Sequence, residues 1–344
     1  MDIEKMGGAE IYAKYLALMK RSYLLTPFSN KHKSALDYYS VDGAANWGHD
    51  IFHYCRKNIL EDIINSKRLR FSDIHFLNDT TEFEEAVRIL RIAVERNKSS
   101  MDKELYAILT DKEVLSEIKS YSQRYTFYPP INKNRDIDSV KPVCNVYTCS
   151  FSMDGDLLPM WNYYAQGTDG ISINFTDLKD CMESNEKIKI VMGKVWYIED
   201  DKIQCIDALL KDILAFFSEI PDKKCREEVV QEVLISTINN MRVFMKHEKY
   251  KTEEEYRAAL IVPQEIIDNN ELSDDYKQGD FKKENTDTKI PYIDVPFDLE
   301  NISNIIVNPY GDFDSIKAGL ADYLQKQNLN HVKIWKSNIP MRKY

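Results

Sequence analysis

The 344-residue sequence lacks the features that define several large classes of protein. No apolar run reaches the roughly 18 residues of a membrane span, so we expect no membrane association. Eleven Gly and eleven Pro are too few for a collagen or a propeller. No G-x-G-x-x-G follows a predicted strand, and no G-x4-G-K-[ST] occurs, which argues against Rossmann and P-loop folds. The first residues lack the layout of a secretion signal, so we predict a cytoplasmic location.

The number and spacing of the cysteines and the net charge indicate the compartment of the protein and exclude some partners. The six cysteines include no C-x2-C pair, and in a chain of this length they indicate free thiols of a reducing compartment. The net charge is 46 − 56 = −10, which repels phosphate backbones. Nonspecific binding to nucleic acid is therefore not expected, although a local basic cleft could still bind a nucleic acid. An apolar share of 43% is sufficient for a packed core.

Hydrophobic periodicity predicts both strands and helices. Apolar and polar residues alternate over 143–152, whereas 82–97 carries a helical apolar stripe. The elements follow in mixed order, so we predict an α+β fold whose mixed or antiparallel sheet is flanked by helices. We expect one domain over 50–344 and a helical N-terminal extension over 1–49. Residues 266–288 are polar and nearly devoid of large aliphatics, which predicts a mobile insertion.

Six short motifs follow one another along this domain. They are Phe52-His53-Tyr54, Leu77-Asn78-Asp79-x-x-Glu82, Cys149-Ser150-Phe151-Ser152, Met160-Trp161-x-x-Tyr164, Tyr250-x-x-Glu253-x-Glu255-Tyr256-Arg257 and Ser337-Asn338-Ile339-Pro340-Met341-Arg342. In this order they resemble a bacterial family of uncharacterised proteins, the domain of unknown function 2971 (DUF2971). The sequence departs from that family at Thr80, where members tend to have Pro.

A second, weaker resemblance concerns the layout of these motifs. A His-Tyr strand, a helix ending in a short basic strand and a late Glu-x-Glu strand are similar to the arrangement in ADP-ribosyltransferases. That resemblance implies an ADP-ribosyltransferase-like fold with NAD as substrate, in which His53 holds NAD, Ser150 supports the site and Glu255 completes it. Members of the DUF2971 family often look like parts of phage-defence or toxin systems. This implies an NAD-consuming toxin, an acceptor that is a protein or a nucleic acid, and a defence-system partner.

The Glu-x-Glu pair carries the expected chemistry. On a strand, Glu253 and Glu255 face the same way. We expect Glu255 to stabilise the positive charge that develops on the ribose as nicotinamide leaves. Glu253 is then placed near the incoming nucleophile, and Arg257 keeps the carboxylates ionised and aimed. The alternative interpretation of 246–257 is a solvated, charged segment.

The other candidate residues each have a structural interpretation beside the functional one. His53 offers a ring N–H to a ribose hydroxyl or to the carboxamide of NAD, or it is a hydrogen-bonded core residue. Tyr54 points to the opposite face of the strand, so one of the two belongs to the core. Ser150 and Ser152 support Glu255 or the ribose, or they are ordinary edge polarity. One aromatic pair at i,i+3 either packs in the core or stacks on a substrate ring: Trp161 and Tyr164.

Two rival functions remain open at this point. Asp79, Glu82 and Glu253 supply oxygen ligands for Mg²⁺, which would indicate a metal-dependent nuclease or phosphoesterase. The structural alternative is that Asn78 or Asp79 caps the following helix and Glu82 completes a capping box. The third possibility is a non-enzymatic interaction module of a defence system, for which an exposed, charge-rich 246–257 would be the sign.

Overall fold

The computed structural model describes residues 3–23, 50–78, 82–119, 123–124, 143–176, 178, 188–282 and 286–341. Residues 24–49 of the predicted N-terminal extension lie outside these residues. The helices are α1 (Ile3–Met6), α2 (Ala9–Tyr23), α3 (Lys57–Ser66), α4 (Glu82–Asn97), α5 (Lys103–Leu109), α6 (Lys112–Lys119), α7 (Leu158–Tyr163), α8 (Glu199–Phe217), α9 (Lys223–Arg242), α10 (Gln264–Asp268) and α11 (Phe313–Lys326). Within the described ranges, no helix combines the length and apolar character needed to cross a membrane.

The strands join into one open sheet. They are β1 (Ile51–Arg56), β2 (Arg68–Asp73), β3 (Gln123–Arg124), β4 (Val143–Ser152), β5 (Gly170–Phe175), β6 (Lys189–Lys194), β7 (Glu255–Pro263), β8 (Lys277–Lys282), β9 (Lys289–Pro296), β10 (Ile302–Val307) and β11 (Lys333–Lys336). Their order is β11-β10-β5-β1-β4-β2-β9-β8, and β7 and β6 extend from the other edge of β4. Among the described strands, only β10 and β11 pair in parallel. A mostly antiparallel sheet combined with helices is what the sequence predicted.

One face of the sheet is apolar because strand side chains alternate between the two faces. Leu69 and Phe71 of β2 point to this face, together with Ile293 and Val295 of β9. Helices α3 and α11 cover it with their apolar stripes, including Leu60, Ile63, Ile64, Leu320 and Leu324. The opposite face of the same strands therefore carries the intervening polar residues.

A second apolar cluster is built from helices. It joins α4, α5, α6, α8 and α9, and it includes Met6, Tyr15 and Leu18 from the N-terminal residues. Helix α2 packs against α9. The predicted N-terminal extension is, over its described residues 3–23, part of this helical layer. Val243 and Phe244, which follow α9, pack on β4 and β7 and connect the layer to the sheet.

Residues 266–288 contain more structure than the sequence predicted. Strand β8 pairs with β9 along its length. Ile266, Ile267, Leu272 and Tyr276 pack against the apolar cluster of the sheet. The low apolar content reflects an edge strand, which exposes side chains on both faces and is commonly charged. The described part of this segment is therefore an edge of the sheet rather than an unstructured insertion.

The sheet divides beside β4. Strand β7 pairs with one edge of β4 from Cys144 to Ser152. On the other edge, β1 pairs only at Ser152, and β2 pairs at Thr148 and Tyr147. Among the described strands, neither β1 nor β2 pairs with Ser150. The resulting gap between β1 and β2 is where the candidate site lies.

Candidate functional site

A cavity of about 350 Å³ opens at this division of the sheet. Its walls come from β1, β2, β4, β7 and β8, together with the segment before β7. Most of the predicted site residues line it, although they are up to two hundred residues apart in sequence. They are His53, Tyr54, Ser150, Tyr164, Glu253, Glu255 and Arg257.

The floor of the cavity is a buried cluster of four ions, here called the ion cluster: Lys246, Glu253, Glu255 and Arg257. The Lys246 ammonium lies 2.6 Å from Glu253 Oε2 and 3.1 Å from Glu255 Oε2. Arg257 donates two parallel hydrogen bonds to Glu255, from Nε to Oε1 at 2.7 Å and from Nη2 to Oε2 at 3.0 Å. All four residues are buried. The ion cluster contains two charges of each sign, so burial leaves no uncompensated ion.

The ion cluster fixes the protonation of Glu255. Burial by itself would raise the pKa of this carboxyl, but the charges of Arg257 and Lys246 outweigh burial and lower the pKa to about 2. Bonds from Arg257 and Ser150 act in the same direction. Glu255 is therefore a fully ionised, fully hydrogen-bonded carboxylate at neutral pH.

Glu253 reaches the same cavity by a route that the sequence did not predict. It ends the 3₁₀ helix Glu248–Glu253, and the strand begins only at Glu255. The intervening Glu254 has a φ of 45°. The prediction that both glutamates lie on one strand was therefore wrong. Both carboxylates nevertheless converge, because each binds Lys246, a residue that the sequence analysis did not single out.

Among the described residues, the donors to the second carboxylate oxygen of Glu253 are both neutral. The Tyr164 hydroxyl lies 3.2 Å from Oε1, and the Asn78 amide lies 3.5 Å from it. Asn78 also donates to the Tyr164 hydroxyl at 2.8 Å. Burial, and then the charge of Glu253, raise the pKa of Tyr164, so its phenol stays protonated. Asn78 was predicted as a helix cap, but its side chain belongs to the cavity.

Ser150 and His53 connect the other side of the cavity to Glu255. The Ser150 hydroxyl donates to Glu255 Oε1 at 2.6 Å. The His53 ring places Nδ1 at 3.1 Å from the Ser150 carbonyl, at a position where neither β1 nor β2 pairs with β4. A carbonyl only accepts, so Nδ1 carries the proton and Nε2 of the neutral ring is an acceptor. Burial lowers the pKa of His53, which keeps the ring neutral. The structure thus gives His53 an accepting Nε2 rather than the free N–H that was predicted.

Three predicted residues are mainly structural. Ser152 is fully buried and donates to the backbone carbonyl of Glu253 at 2.8 Å, which holds the start of β7 in place. Trp161 is fully buried outside the cavity and packs edge-on against Tyr54 at 4.8 Å. The hydroxyl of Tyr54 binds backbone groups of 154–157. Tyr54 contributes its ring to the cavity wall, but its polar atom is already used.

The two rival functions stay predictions. Asp79 and the side chain of Glu82 lie outside them, and the remaining proposed ligand, Glu253, holds the Lys246 ammonium where a cation would bind. Across the described ranges, no group of three His, Cys, Asp or Glu side chains is arranged to hold a metal ion. Within 246–257 the four residues of the ion cluster are buried, whereas the charged Glu248, Lys249, Lys251 and Glu254 are exposed, so the interaction-module hypothesis stays a prediction.

Comparison with known proteins identifies one family. The family model described as "Protein of unknown function (DUF2971)" matches residues 160–258. The resemblance to this family is therefore confirmed over that segment, which contains Tyr164 and the ion cluster. No curated protein and no solved structure matches the chain.

Proposed function

We propose that this protein is an NAD-cleaving enzyme with an ADP-ribosyltransferase-like fold, which transfers ADP-ribose to an acceptor nucleophile. One observation carries the proposal. His53, Ser150 and Glu255 come from β1, β4 and β7, and they form one hydrogen-bonded chain in one cavity. These are the three residues that the ADP-ribosyltransferase resemblance requires to meet.

The reaction breaks the bond between the ribose C1 and the nicotinamide nitrogen, and the electron pair leaves with nicotinamide. Positive charge develops on the ribose, and the ionised Glu255 stabilises it in a site of low dielectric. The positive charges of Arg257 and Lys246 weaken this stabilisation in part. They also hold the Glu255 carboxylate in place, so it does not reorganise during the reaction.

Transfer then forms a bond between C1 and the acceptor. The acceptor loses a proton, and we assign Glu253 to receive it, because within the described part of the chain its Oε1 contacts only the neutral donors Tyr164 and Asn78. A ribose hydroxyl donates a hydrogen bond to Nε2 of the neutral His53 ring, which fixes the sugar without adding charge. Water as the acceptor gives ADP-ribose and nicotinamide.

The test is release of nicotinamide from NAD by the purified protein, with water, protein extract or nucleic acid as acceptor. Ser150→Ala removes the hydroxyl that orients Glu255, and we expect roughly 10–100-fold slower release, the effect of one hydrogen bond to a charged group. Ser303→Ala on β10, outside the cavity, is the matched control and should keep the full rate. Absence of release with every acceptor would overturn the proposal.

We extend the proposal to a toxin-like role in bacterial defence, which the DUF2971 resemblance supports. Expression of the wild-type chain in a bacterial host should deplete NAD or stop growth, and the Ser150→Ala chain should do so more weakly. Equal growth of both strains with normal NAD would contradict this extension.

A further inference from the structure

An arginine stacked on one aromatic ring and flanked by a second forms the rim of the cavity opposite β7. The guanidinium carbon of Arg70 lies 3.7 Å from the centre of the Tyr292 ring and 5.9 Å from that of Phe281. Arg70 and Phe281 also line the cavity. We call Arg70, Phe281 and Tyr292 the rim stack. Nothing in the proposed chemistry uses these residues.

The charge of the rim stack decides what it can bind. Both oxygens of Asp294 accept from Arg70, at 2.8 Å from Nε and 3.1 Å from Nη2. A bidentate carboxylate cancels the charge of the guanidinium and repels a phosphate. The planar faces of the rim stack remain accessible to a ligand, since the Arg70 side chain is 47% exposed. A neutralised guanidinium beside aromatic rings favours stacking with a planar heterocycle over binding an anion.

The strand register keeps the rim stack flat. Tyr292 of β9 lies opposite Gly279 of β8. A Cβ atom at Gly279 would come within 2.8 Å of the Tyr292 hydroxyl. The absence of a side chain there lets the tyrosine ring lie across β8, beneath Arg70.

We propose that the rim stack binds the adenine ring of NAD while the ion cluster faces the nicotinamide ribose; this inference rests on the proposed function. The ion cluster and, from the rim stack, Arg70 and Phe281 line the same cavity, whose volume of about 350 Å³ is near the lower limit for small-molecule sites. A ligand that reaches both must therefore lie extended along the sheet. At about 4.8 Å per strand, β2 lies about 10 Å from β7 and β8 about 19 Å from it, a span that a dinucleotide covers and a mononucleotide does not.

The experiment compares two ligands by calorimetric titration: ADP-ribose, which contains adenine and is not cleaved, and nicotinamide mononucleotide, which lacks adenine. Phe281→Ala should weaken ADP-ribose binding by roughly tenfold, the effect of losing one base–aromatic stack. Phe281→Ala should change the affinity for nicotinamide mononucleotide by less than about twofold, and Phe281→Tyr should restore ADP-ribose binding. Trp335→Ala removes an exposed aromatic from the edge strand β11, outside the cavity, and should change neither affinity.

Two results would overturn the inference: an unchanged ADP-ribose affinity in Phe281→Ala, or an equal loss for both ligands. Melting temperatures of the variants identify a loss that comes from unfolding. Failure of the proposed function looks different. If ADP-ribose binds in a Phe281-dependent way and no nicotinamide is released from NAD, then the rim stack is a purine site and the cleavage proposal is wrong.

Discussion

The strongest prediction concerns Glu255→Gln, which removes one charge from the ion cluster and nearly preserves its shape. The side chains of Glu255 and Arg257 are only 3% and 1% exposed. After the substitution, Lys246 and Arg257 share the single carboxylate of Glu253, and one positive charge is buried without compensation. Breaking a buried pair in this way costs about 3–5 kcal/mol. That is a large part of the roughly 5–15 kcal/mol that stabilises a typical domain.

A double-mutant cycle isolates the charge effect. Arg257→Gln alone leaves one surplus negative charge and should cost a similar amount. In the double variant, Lys246 and Glu253 remain as a balanced pair. We therefore expect the double variant to be less destabilised than the sum of the single variants, by about 2–3 kcal/mol. Urea unfolding of the four proteins measures the free energies of unfolding.

The exposed pair of Lys326 and Asp322 on α11 is the control, because its side chains are 70% and 65% exposed. Its cycle should give a coupling below about 0.5 kcal/mol. Additive costs within about 0.5 kcal/mol for Glu255 and Arg257 would refute the charge-balance reasoning. At a temperature where Glu255→Gln is folded, nicotinamide release should fall by roughly 10²–10³, as for other charge-stabilising groups. Full activity of folded Glu255→Gln would exclude its catalytic role.

Three further predictions follow from the same geometry. Because the pKa of Glu255 is lowered, its ionised form stabilises the fold at pH values above 4.5, its ordinary pKa. This stabilisation should be lost as the pH falls from 4.5 to about 2. Acid titration of the wild type against Glu255→Gln would show the loss. His53→Asn keeps a donor for the Ser150 carbonyl but loses the Nε2 acceptor. At a hundredfold excess of NAD over Kd, the free energy of unfolding of the wild type should rise by about 2.7 kcal/mol, and that of the variant should rise less. An equal rise in the variant would remove His53 from the site. Deletion of 266–288 removes β8, so the melting temperature should fall by roughly 5 °C or more; an unchanged value would mean that β8 adds no stability.

Local patterns were sufficient to locate most elements of the fold. Alternation over 143–152 predicted β4, and the helical stripe over 82–97 predicted α4, because each pattern reflects one buried face. Strand β8 was missed for the opposite reason. An edge strand buries little, so its sequence carries no apolar signal, and only its pairing with β9 defines it.

The candidate site was predictable only in part. Short motifs marked His53, Ser150 and Glu255, but no local spacing connected them to Lys246. That residue follows the last turns of the helical layer, and its role depends on how this layer packs against β7. The sequence analysis did not place Arg70 in the site, because its stacking on Tyr292 depends on the register of β2 and β9. Contacts between distant segments are set by tertiary packing, which local spacing does not encode.

The energetics of the ion cluster bear on why such a site exists at all. Replacing a buried ion pair by apolar side chains of similar volume is often neutral or stabilising, so stability alone does not account for four buried ions. The ion cluster lies on the floor of a cavity, and one of its oxygens, Oε1 of Glu253, accepts from the neutral donors Tyr164 and Asn78. A preorganised carboxylate pair in a site of low dielectric is costly to the fold but effective against a cationic transition state. This supports a catalytic role for Glu253 and Glu255, with Lys246 and Arg257 holding the two carboxylates in position.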